Sequence, residues 1–473
     1  MGLSMDRSRL ETILKPYNPW WEPGIEWEPF LPDYQRLVVA EVLADLRELP
    51  QMISITGPRR VGKSTAVKHV ISHLIRDEHI EPQRILYMSF DDPEIFGSEE
   101  AQRVVFDLLV RRMPKNTLNY MFLDEVQRLP RWELYLKKYY DLKAPIRFVV
   151  SGSASSPIFR SSQESLLGRI KDRHLLPFSF REFAQYSLRG TPEFAQVLQG
   201  HCRLREALLN EDGPAAVECI GRLHAAMQPF SFEVNTAVLA YCVDGGFPEV
   251  WALADPVRKI EYLMEQQVRK VLYEDLMTLT QYRKPENVLR FFVYLLAHPG
   301  VEINMTKVAS EAGVERRVVE ENLPRLEMTD LILRVQKFSH HPMRVRQGNI
   351  KTYPIDTALR NAVLKTWEIP DADTMGVYAE NLVGRELFGW PEKIEVAYFR
   401  EKNREVDFVV THGGNRYLPF ELKLRQKPDD IAGLRLFMRR YDLNFGVVII
   451  REQNIEFRDG ILYLPLRYFL LVS

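Results

Sequence analysis

The sequence predicts an α/β protein: a parallel-sheet core with a helical lid, then a winged helix-turn-helix, then a second and smaller α/β unit. Three observations predict it. Short apolar segments alternate with helical ones from residue 52 to about 151, the rhythm of buried strands joined by crossover helices. Beyond about residue 177 the strand signals fade into amphipathic helices broken at Gly and Pro. After residue 285 the order becomes helix, turn, helix, glycine, helix and strand pair, followed by a helix and further strands.

Taken in order, residues 1–45 form an N-terminal segment in which Asn18-Pro19-Trp20-Trp21-Glu22-Pro23 precedes a helix predicted over 34–49. The paired tryptophans read as a packed clamp. The core, 46–183, holds strands at 53–56, 85–90, 120–123 and 146–151, with a glycine-bearing loop and a helix at 64–77 after the first. The lid spans 184–284. The winged segment, 285–360, has helices at 288–297, 306–312 and 316–326, with Pro299-Gly300 and Gly313 at the turns. The last unit, 361–473, opens on a helix and continues in strands at 394–400, 405–411 and 416–424, the last two joined at Gly413-Gly414.

Composition bounds the function. A chain of 473 residues exceeds one hydrophobic core, and 46% hydrophobic with 27% charged residues describes an ordinary folded protein. The net charge of -1 excludes a global basic field, so affinity for nucleic acid has to come from local patches. Cys202, Cys219 and Cys242 are odd in number and lack metal-like spacing, which argues for small buried hydrophobes in a reducing, cytoplasmic compartment. No apolar run reaches membrane-spanning length.

Gly57-Pro58-Arg59-Arg60-Val61-Gly62-Lys63-Ser64, followed by Thr65, fits G-x-x-x-x-G-K-[ST] between an apolar strand and a helix. The glycines let backbone amides curl round phosphates at a helix N-terminus, Lys63 reaches the β- and γ-phosphates, and Ser64 ligates Mg²⁺. Tyr120-Met121-Phe122-Leu123-Asp124-Glu125 is a strand ending in two carboxylates: Asp124 for the metal, through water, and Glu125 to polarise the attacking water. The expected cofactors are ATP and Mg²⁺. Ser153, with Ser151 close behind, is the candidate γ-phosphate sensor at the next strand tip. Arg169 in Leu167-Gly168-Arg169 is the candidate arginine projected into a neighbouring subunit; a plain surface arginine is the alternative.

These strings, with Pro177-Phe178-Ser179-Phe180-Arg181-Glu182-Phe183 and Gly245-Gly246-Phe247-Pro248-Glu249, resemble the prokaryotic AAA+ ATPases that carry a winged helix and a restriction-endonuclease-like C-terminal domain of unknown function. The resemblance covers nearly the whole chain. It implies a P-loop AAA+ core in a three-part architecture, ATP as nucleotide, and a link to DNA. The two added strings carry no chemistry readable from the sequence.

Two further groups follow. Arg316, Arg317 and Arg325 fall on the expected recognition helix, diluted by Glu315, Glu320, Glu321 and Glu327. Arg334, Lys337, Arg344, Arg346 and Lys351, with His340 and His341, occupy a stretch without acids, as phosphate-backbone contact requires. A wing packed on its own ATPase is the bland alternative. In the last unit Glu380, Asp407, Glu421 and Lys423 follow the PD-(D/E)xK layout, in which carboxylates such as Asp407 and Glu421 hold Mg²⁺; Val406 stands where the motif carries proline, and a structural or DNA-gripping module is the reading preferred to an active nuclease. The function expected is an ATPase that binds DNA and couples hydrolysis to remodelling or translocation as a homo-oligomer, a ring being one form. The alternatives are an ATP-regulated Mg²⁺-dependent nuclease and a signalling ATPase that touches no nucleic acid.

Overall fold

In this computed structural model, β1 (Met52–Thr56), β2 (Ile85–Ser89), β3 (Asn119–Asp124), β4 (Ile146–Ser151) and β5 (Ile170–His174) form one parallel sheet in the order β2-β3-β4-β1-β5. β1 and β3 are buried at every position, which is why they read as mostly apolar runs, with Ser54 and Thr56 the polar exceptions in β1, rather than as a strand with one wet face. The structure describes residues 7–24, 31–96, 99–129, 131–153, 166–200, 203–276, 284–340, 350–392, 394–424, 430–451 and 454–472. They group into two compact units, Met1–Leu175 and Leu176–Ser473.

The first unit has its core on the sheet, where Leu10, Ile13 and Leu14 of the helix Arg7–Leu14 join Leu86, Met88, Phe106, Leu123 and Trp132. Both indole N–H groups of Trp20 and Trp21 donate to the Ile85 carbonyl, at 3.2 and 2.8 Å, and the Arg112 guanidinium lies 3.5 Å from the Trp21 ring centre. The pair clamps the start of β2. Because the five strands are parallel, the tips of β1, β3 and β4 open on one edge of the sheet, where α/β proteins place their ligands.

The second unit begins in helices, from Phe180–Ser187 to Pro256–Leu263, and continues with Pro285–Ala297, Met305–Ala312 and Arg316–Glu327. Asn304 caps the middle one of those three by accepting from the Thr306 and Lys307 amides, and Gly313 ends it in a left-handed conformation, φ 66°. Eight strands follow in one sheet: β6 (Ile332–Lys337), β7 (Ile350–Pro354), β8 (Glu395–Glu401), β9 (Arg404–His412), β10 (Arg416–Lys423), β11 (Gly446–Ile450), β12 (Glu456–Arg458) and β13 (Ile461–Pro465). Their order is β12-β13-β11-β10-β9-β8-β6-β7.

The pair β6 and β7, expected as a separate wing, therefore forms one end of the sheet that β8 to β13 build. β6 runs parallel to β8 through Gln336 opposite Ala397 and Lys337 opposite Tyr398. β7 is buried at all five positions, whereas a hairpin reaching into solvent would leave one face wet. Lys351, expected as a DNA contact, is corrected by this: it is 4% exposed, and its ammonium pairs with Glu380 at 3.3 Å and with Glu405. A lysine so enclosed has no free charge to offer a phosphate.

The two strings without readable chemistry meet in the second unit. Gly245 has φ 63°, and a Cβ there would lie 1.8 Å from Asp356 Oδ1, so only glycine fits. The Gly246 amide donates to Asp356 Oδ2 at 2.5 Å, and the Phe178 amide donates to the Gly246 carbonyl at 2.9 Å. The Tyr241 hydroxyl donates to the Phe178 carbonyl at 2.5 Å, and Arg385 donates to the Pro177 carbonyl. Ser179 and Glu182 complete a reciprocal cap on the helix Phe180–Ser187. The strings are a buried joint.

Burial pushes the Asp356 carboxyl up to about 6, against the pull of the Gly246 and Ala358 amides and of Arg385. The folded state thus holds this proton more tightly than the unfolded chain, whose Asp titrates near about 4. Its stabilising contribution is complete below that pH and is lost as pH rises through about 6. Urea unfolding of the chain between pH 4 and pH 7 is expected to show this contribution as a loss of roughly 2 kcal/mol. The Asp356→Asn variant is expected to lose that part of the slope.

Candidate nucleotide-binding site

The loop 57–64 leaves β1 through Gly57, whose φ is 139°; a Cβ there would lie 2.0 Å from the Leu175 carbonyl oxygen. Glycine alone lets the loop pass the chain leaving β5. The helix Lys63–Arg76 follows with Gly62 as its N-cap, so its free amides face the loop. The Lys63 ammonium, 6% exposed, curls back to donate to the carbonyls of Gly57 at 3.1 Å and Pro58 at 2.7 Å. Arg36, 5% exposed, braces the loop from outside by donating to the Val61 carbonyl at 2.5 Å. Arg59 is half-buried and Arg60 exposed.

Asp124 ends β3, and its carboxylate gathers four donors. Oδ2 accepts from the Ser64 hydroxyl at 2.6 Å and the Tyr87 hydroxyl at 2.8 Å; Oδ1 accepts from Ser151 at 2.5 Å and the Glu125 amide at 3.0 Å. Parallel register explains the meeting: Leu123 lies opposite Val150, so Asp124 comes level with Ser151 at the tip of β4. Burial first, then the Asp124 charge, pushes the Tyr87 hydroxyl far above its ordinary value, which keeps it a donor. Ser151 thus holds Asp124; Ser153, 3% exposed, stands two residues further on, just before residues outside the described set.

Glu125 turns out of the strand in a left-handed conformation, φ 51°, and its carboxylate accepts from the Gln127 side-chain Nε2 at 2.5 Å. Burial chiefly, then Asp124, raises its pKa, while Lys63, Gln127 and Arg59 oppose the rise. A carboxylate lifted in this way binds a proton more readily, as a base for water requires. Ser64 and Asp124 are already joined where a magnesium ion would be held, and the loop is a cradle of backbone and one ammonium. The residues fit a magnesium nucleotide.

Tyr87, Gln127 and Arg36 are functional candidates that the motif pattern does not contain. Tyr87 carried one readable signal, a hydroxyl in the middle of a strand whose other residues are apolar up to Ser89. On the other flank of β1, the hydroxyls of Ser54 and Thr56 donate to Asp172 of β5, at 2.5 and 3.1 Å.

Arg169 lies at the opposite edge of the sheet. Its carbonyl accepts from the Met52 amide, at the start of β1, and its guanidinium pairs with Asp141 at 2.9 Å. A strand of this length puts it roughly 15 Å from the loop of its own chain.

Of the expected DNA contacts, Arg316 and Arg317 are exposed on the helix Arg316–Glu327, each paired with a glutamate one turn on, Glu320 at 2.7 Å and Glu321 at 2.5 Å. Arg334 is half-buried and bonded to Glu327 at 3.1 Å; Lys337 is half-buried and His340 exposed. His341, Arg344 and Arg346 lie outside the described residues.

Glu380, Asp407, Glu421 and Lys423 come together in the second unit, with Lys351 and Glu405 among them. Asp407 Oδ2 accepts from the Leu422 amide at 2.8 Å, between Glu421 and Lys423, whose side chains pair at 2.7 Å. Glu380 Oε1 is taken by the Tyr353 hydroxyl at 2.6 Å and by Lys351. Burial, then the charges of Glu421 and Glu380, raises Asp407 well above the carboxylate range; burial pushes Glu421 up to about 7 against the pull of Lys423. Among the described residues no group of three or more His, Cys, Asp or Glu is arranged to hold a metal ion. None of the described helices is long and apolar enough to cross a membrane.

Residues 49–184 match a family model described as an AAA domain, while 235–368 and 375–469 match two models each described as a domain of unknown function. An uncharacterized protein of Methanocaldococcus jannaschii is 22% identical over 431 residues, 89% of this chain and 85% of that protein. Distant likenesses among solved structures include Cdc6p from Pyrobaculum aerophilum, at 14% identity over 74% of this chain and 97% of the other, TM-score 0.28. The Orc1 protein of Aeropyrum pernix in complex with DNA is 15% identical over 69% and 90%, TM-score 0.27. The family match and the geometry of the loop after β1 fall on the same residues, so 49–184 are similar to an AAA domain.

Proposed function

We propose that this chain is an AAA+ ATPase that binds DNA and couples ATP hydrolysis to remodelling or translocation as a homo-oligomer. The hydrogen bond between Ser64 and Asp124, 2.6 Å long at the mouth of the phosphate loop, carries the ATPase part of the reading. Lys63 and the amides at the start of its helix bind the phosphates, Ser64 and Asp124 hold the metal, and Glu125 draws a proton from the attacking water. Tyr87 and Ser151 orient Asp124, and Gln127 holds Glu125. Bound magnesium would supply charge stabilisation for the leaving and transferred oxygens.

Assembly is supported at the far edge of the sheet. Leu167, 76% exposed, precedes Arg169, and Leu142, 68% exposed, follows its partner Asp141. Exposed apolar side chains round a surface cation suit a subunit contact. In such a contact Arg169 would leave Asp141 and reach the neighbour's nucleotide. The Arg169→Ala variant is expected to lose hydrolysis by about 10³-fold or more while binding ATP as wild type does, measured by phosphate release and by fluorescent-nucleotide titration. Full hydrolysis in that variant removes the argument for assembly.

For DNA, the lid at 184–284, the helices of the segment 285–360 and the nuclease-like unit within 361–473 are part of the proposal, with β6 and β7 belonging to the sheet of that unit rather than to a separate wing. Arg316 and Arg317 are the contacts it favours, since both side chains face solvent. Replacing both with Gln is expected to lower the slope of log affinity against log salt by about two, in duplex binding followed by fluorescence anisotropy. Unchanged affinity and slope would point to the signalling reading.

The convergence of Asp407, Glu421 and Lys423 favours one second reading, an ATP-regulated Mg²⁺-dependent nuclease. Asp407→Ala would then stop cleavage of branched, single-stranded or duplex DNA while leaving ATP hydrolysis intact.

A further inference from the structure

Lys351 and Tyr353 stand two apart on β7, and Glu405 and Asp407 stand two apart on β9, so the members of each pair share a face of their strand. Glu380, on the helix Met375–Phe388, receives both residues of β7 on one oxygen: the Tyr353 hydroxyl at 2.6 Å and the Lys351 ammonium at 3.3 Å. The same ammonium pairs with Glu405, and the Asp407 charge acts on it as well. Three acids from two elements therefore meet on one lysine.

A magnesium ion needs about six oxygen ligands in near-octahedral order. These carboxylates already serve the chain itself. Glu380 Oε1 is taken by Tyr353 and Lys351, and Glu405 by Lys351 and, at 3.6 Å, by Arg400. Asp407 Oδ2 accepts from the Leu422 amide at 2.8 Å, and Glu421 pairs with Lys423 at 2.7 Å. The acids do not fit a metal in this arrangement, and the reason is visible: an ammonium stands where they converge.

Lys351 keeps that place because its strand does. β7 is buried at all five positions, and the lysine side chain is 5% exposed, while Glu380 and Glu405 keep 25% and 30%. The cation thus lies deeper than the acids it joins. The Tyr398 ring centre, 5.3 Å from the ammonium, adds a cation–π contact. A divalent ion approaching the same oxygens would meet this fixed charge in a poorly solvated place, where like charges repel strongly.

We propose that Lys351 is an internal counterion standing in the place of a divalent cation, and that it keeps Glu380, Glu405 and Asp407 from binding metal in the folded chain. The proposal rests on the same acids as the nuclease reading and names what restrains them. Metal-dependent cutting at Asp407 requires the lysine of β7 to leave first.

The test uses the full chain carrying Asp124→Asn, which takes the metal-holding acid from the phosphate loop. Mn²⁺ is the probe, titrated without nucleotide and followed by electron paramagnetic resonance. This parent is expected to show no saturable site that Asp407→Asn removes. Lys351→Met should gain one site, binding Mn²⁺ about tenfold or more tighter than the parent, and adding Glu405→Gln should abolish it. Urea unfolding accompanies each titration. Mn²⁺ should raise the midpoint of Lys351→Met and not that of the parent; if Lys351→Met is unfolded without metal, Mn²⁺ should restore its transition. Three results overturn the proposal: a parent site that depends on Asp407, a Lys351→Met chain that Mn²⁺ neither binds nor stabilises, or binding that survives Glu405→Gln. DNA cleavage on the same samples separates the two readings. Metal binding by Lys351→Met without cutting keeps the counterion and removes the nuclease, whereas cutting by the parent that Asp407→Asn stops does the reverse.

Discussion

Replacing Glu125 with Gln is expected to cut ATP hydrolysis by about 10²–10⁴-fold while leaving ATP bound, because the change removes a base and little else. The amide is nearly isosteric with the carboxylate and keeps an oxygen for the Gln127 donor, whose bond to Glu125 is 2.5 Å long. Asp124 and Ser64 stay joined, so the metal-holding pair is untouched. The raised Glu125 pKa adds a sign: ionisation of this group, delayed by burial and by Asp124, makes hydrolysis climb with pH on the acid side. That climb should vanish in Glu125→Gln. Phosphate release across pH, with nucleotide binding measured on the same samples, checks both parts.

The second large effect concerns stability. Lys351→Met is expected to destabilise the second unit by about 1–3 kcal/mol, since it takes the cation from the half-buried carboxylates of Glu380 and Glu405. Burial acts to lower the lysine's pKa, but Glu380, Glu405 and Asp407 outweigh it and leave it above the ordinary lysine value. Its side chain is 5% exposed, so solvent cannot replace the lost charge. Adding Glu405→Gln to Lys351→Met should recover part of the loss, and urea unfolding of the three chains measures it. DNA affinity per folded molecule should be unchanged, in contrast to the effect expected for Arg316 and Arg317.

The parallel core was legible because each of its signals is local. The apolar runs of β1 to β4, the glycines of the loop and the acids at the end of β3 all lie within short windows, and buried parallel strands announce themselves by lacking polar positions. The pairing of β6 with β8 was not legible. It joins Gln336 to Ala397 across a long stretch of chain, with no turn to mark it, so a strand pair after three helices read as a wing. Lys351 was misread for the same reason, since a basic residue in a polar-looking hairpin shows no burial until the neighbouring strands are in place. Within the site, Lys63, Ser64 and Asp124 were found by spacing. Tyr87 and Ser151 bond to Asp124 from separate strands, and only the register of the sheet brings them there. The glycines at 245 and 246 were visible as a string, but their reason, the close approach of Asp356 and Phe178, is a tertiary one.

The central claim is that the site between the loop 57–64 and the end of β3 hydrolyses ATP with magnesium. Phosphate release by the purified full chain, in ATP with and without Mg²⁺ and beside Asp124→Asn, tests it most directly. The account predicts magnesium-dependent turnover in the wild-type chain and a loss of about 10³-fold in the variant, in which the metal-holding carboxylate is gone. Turnover that persists in Asp124→Asn, or that needs no divalent cation, would contradict it.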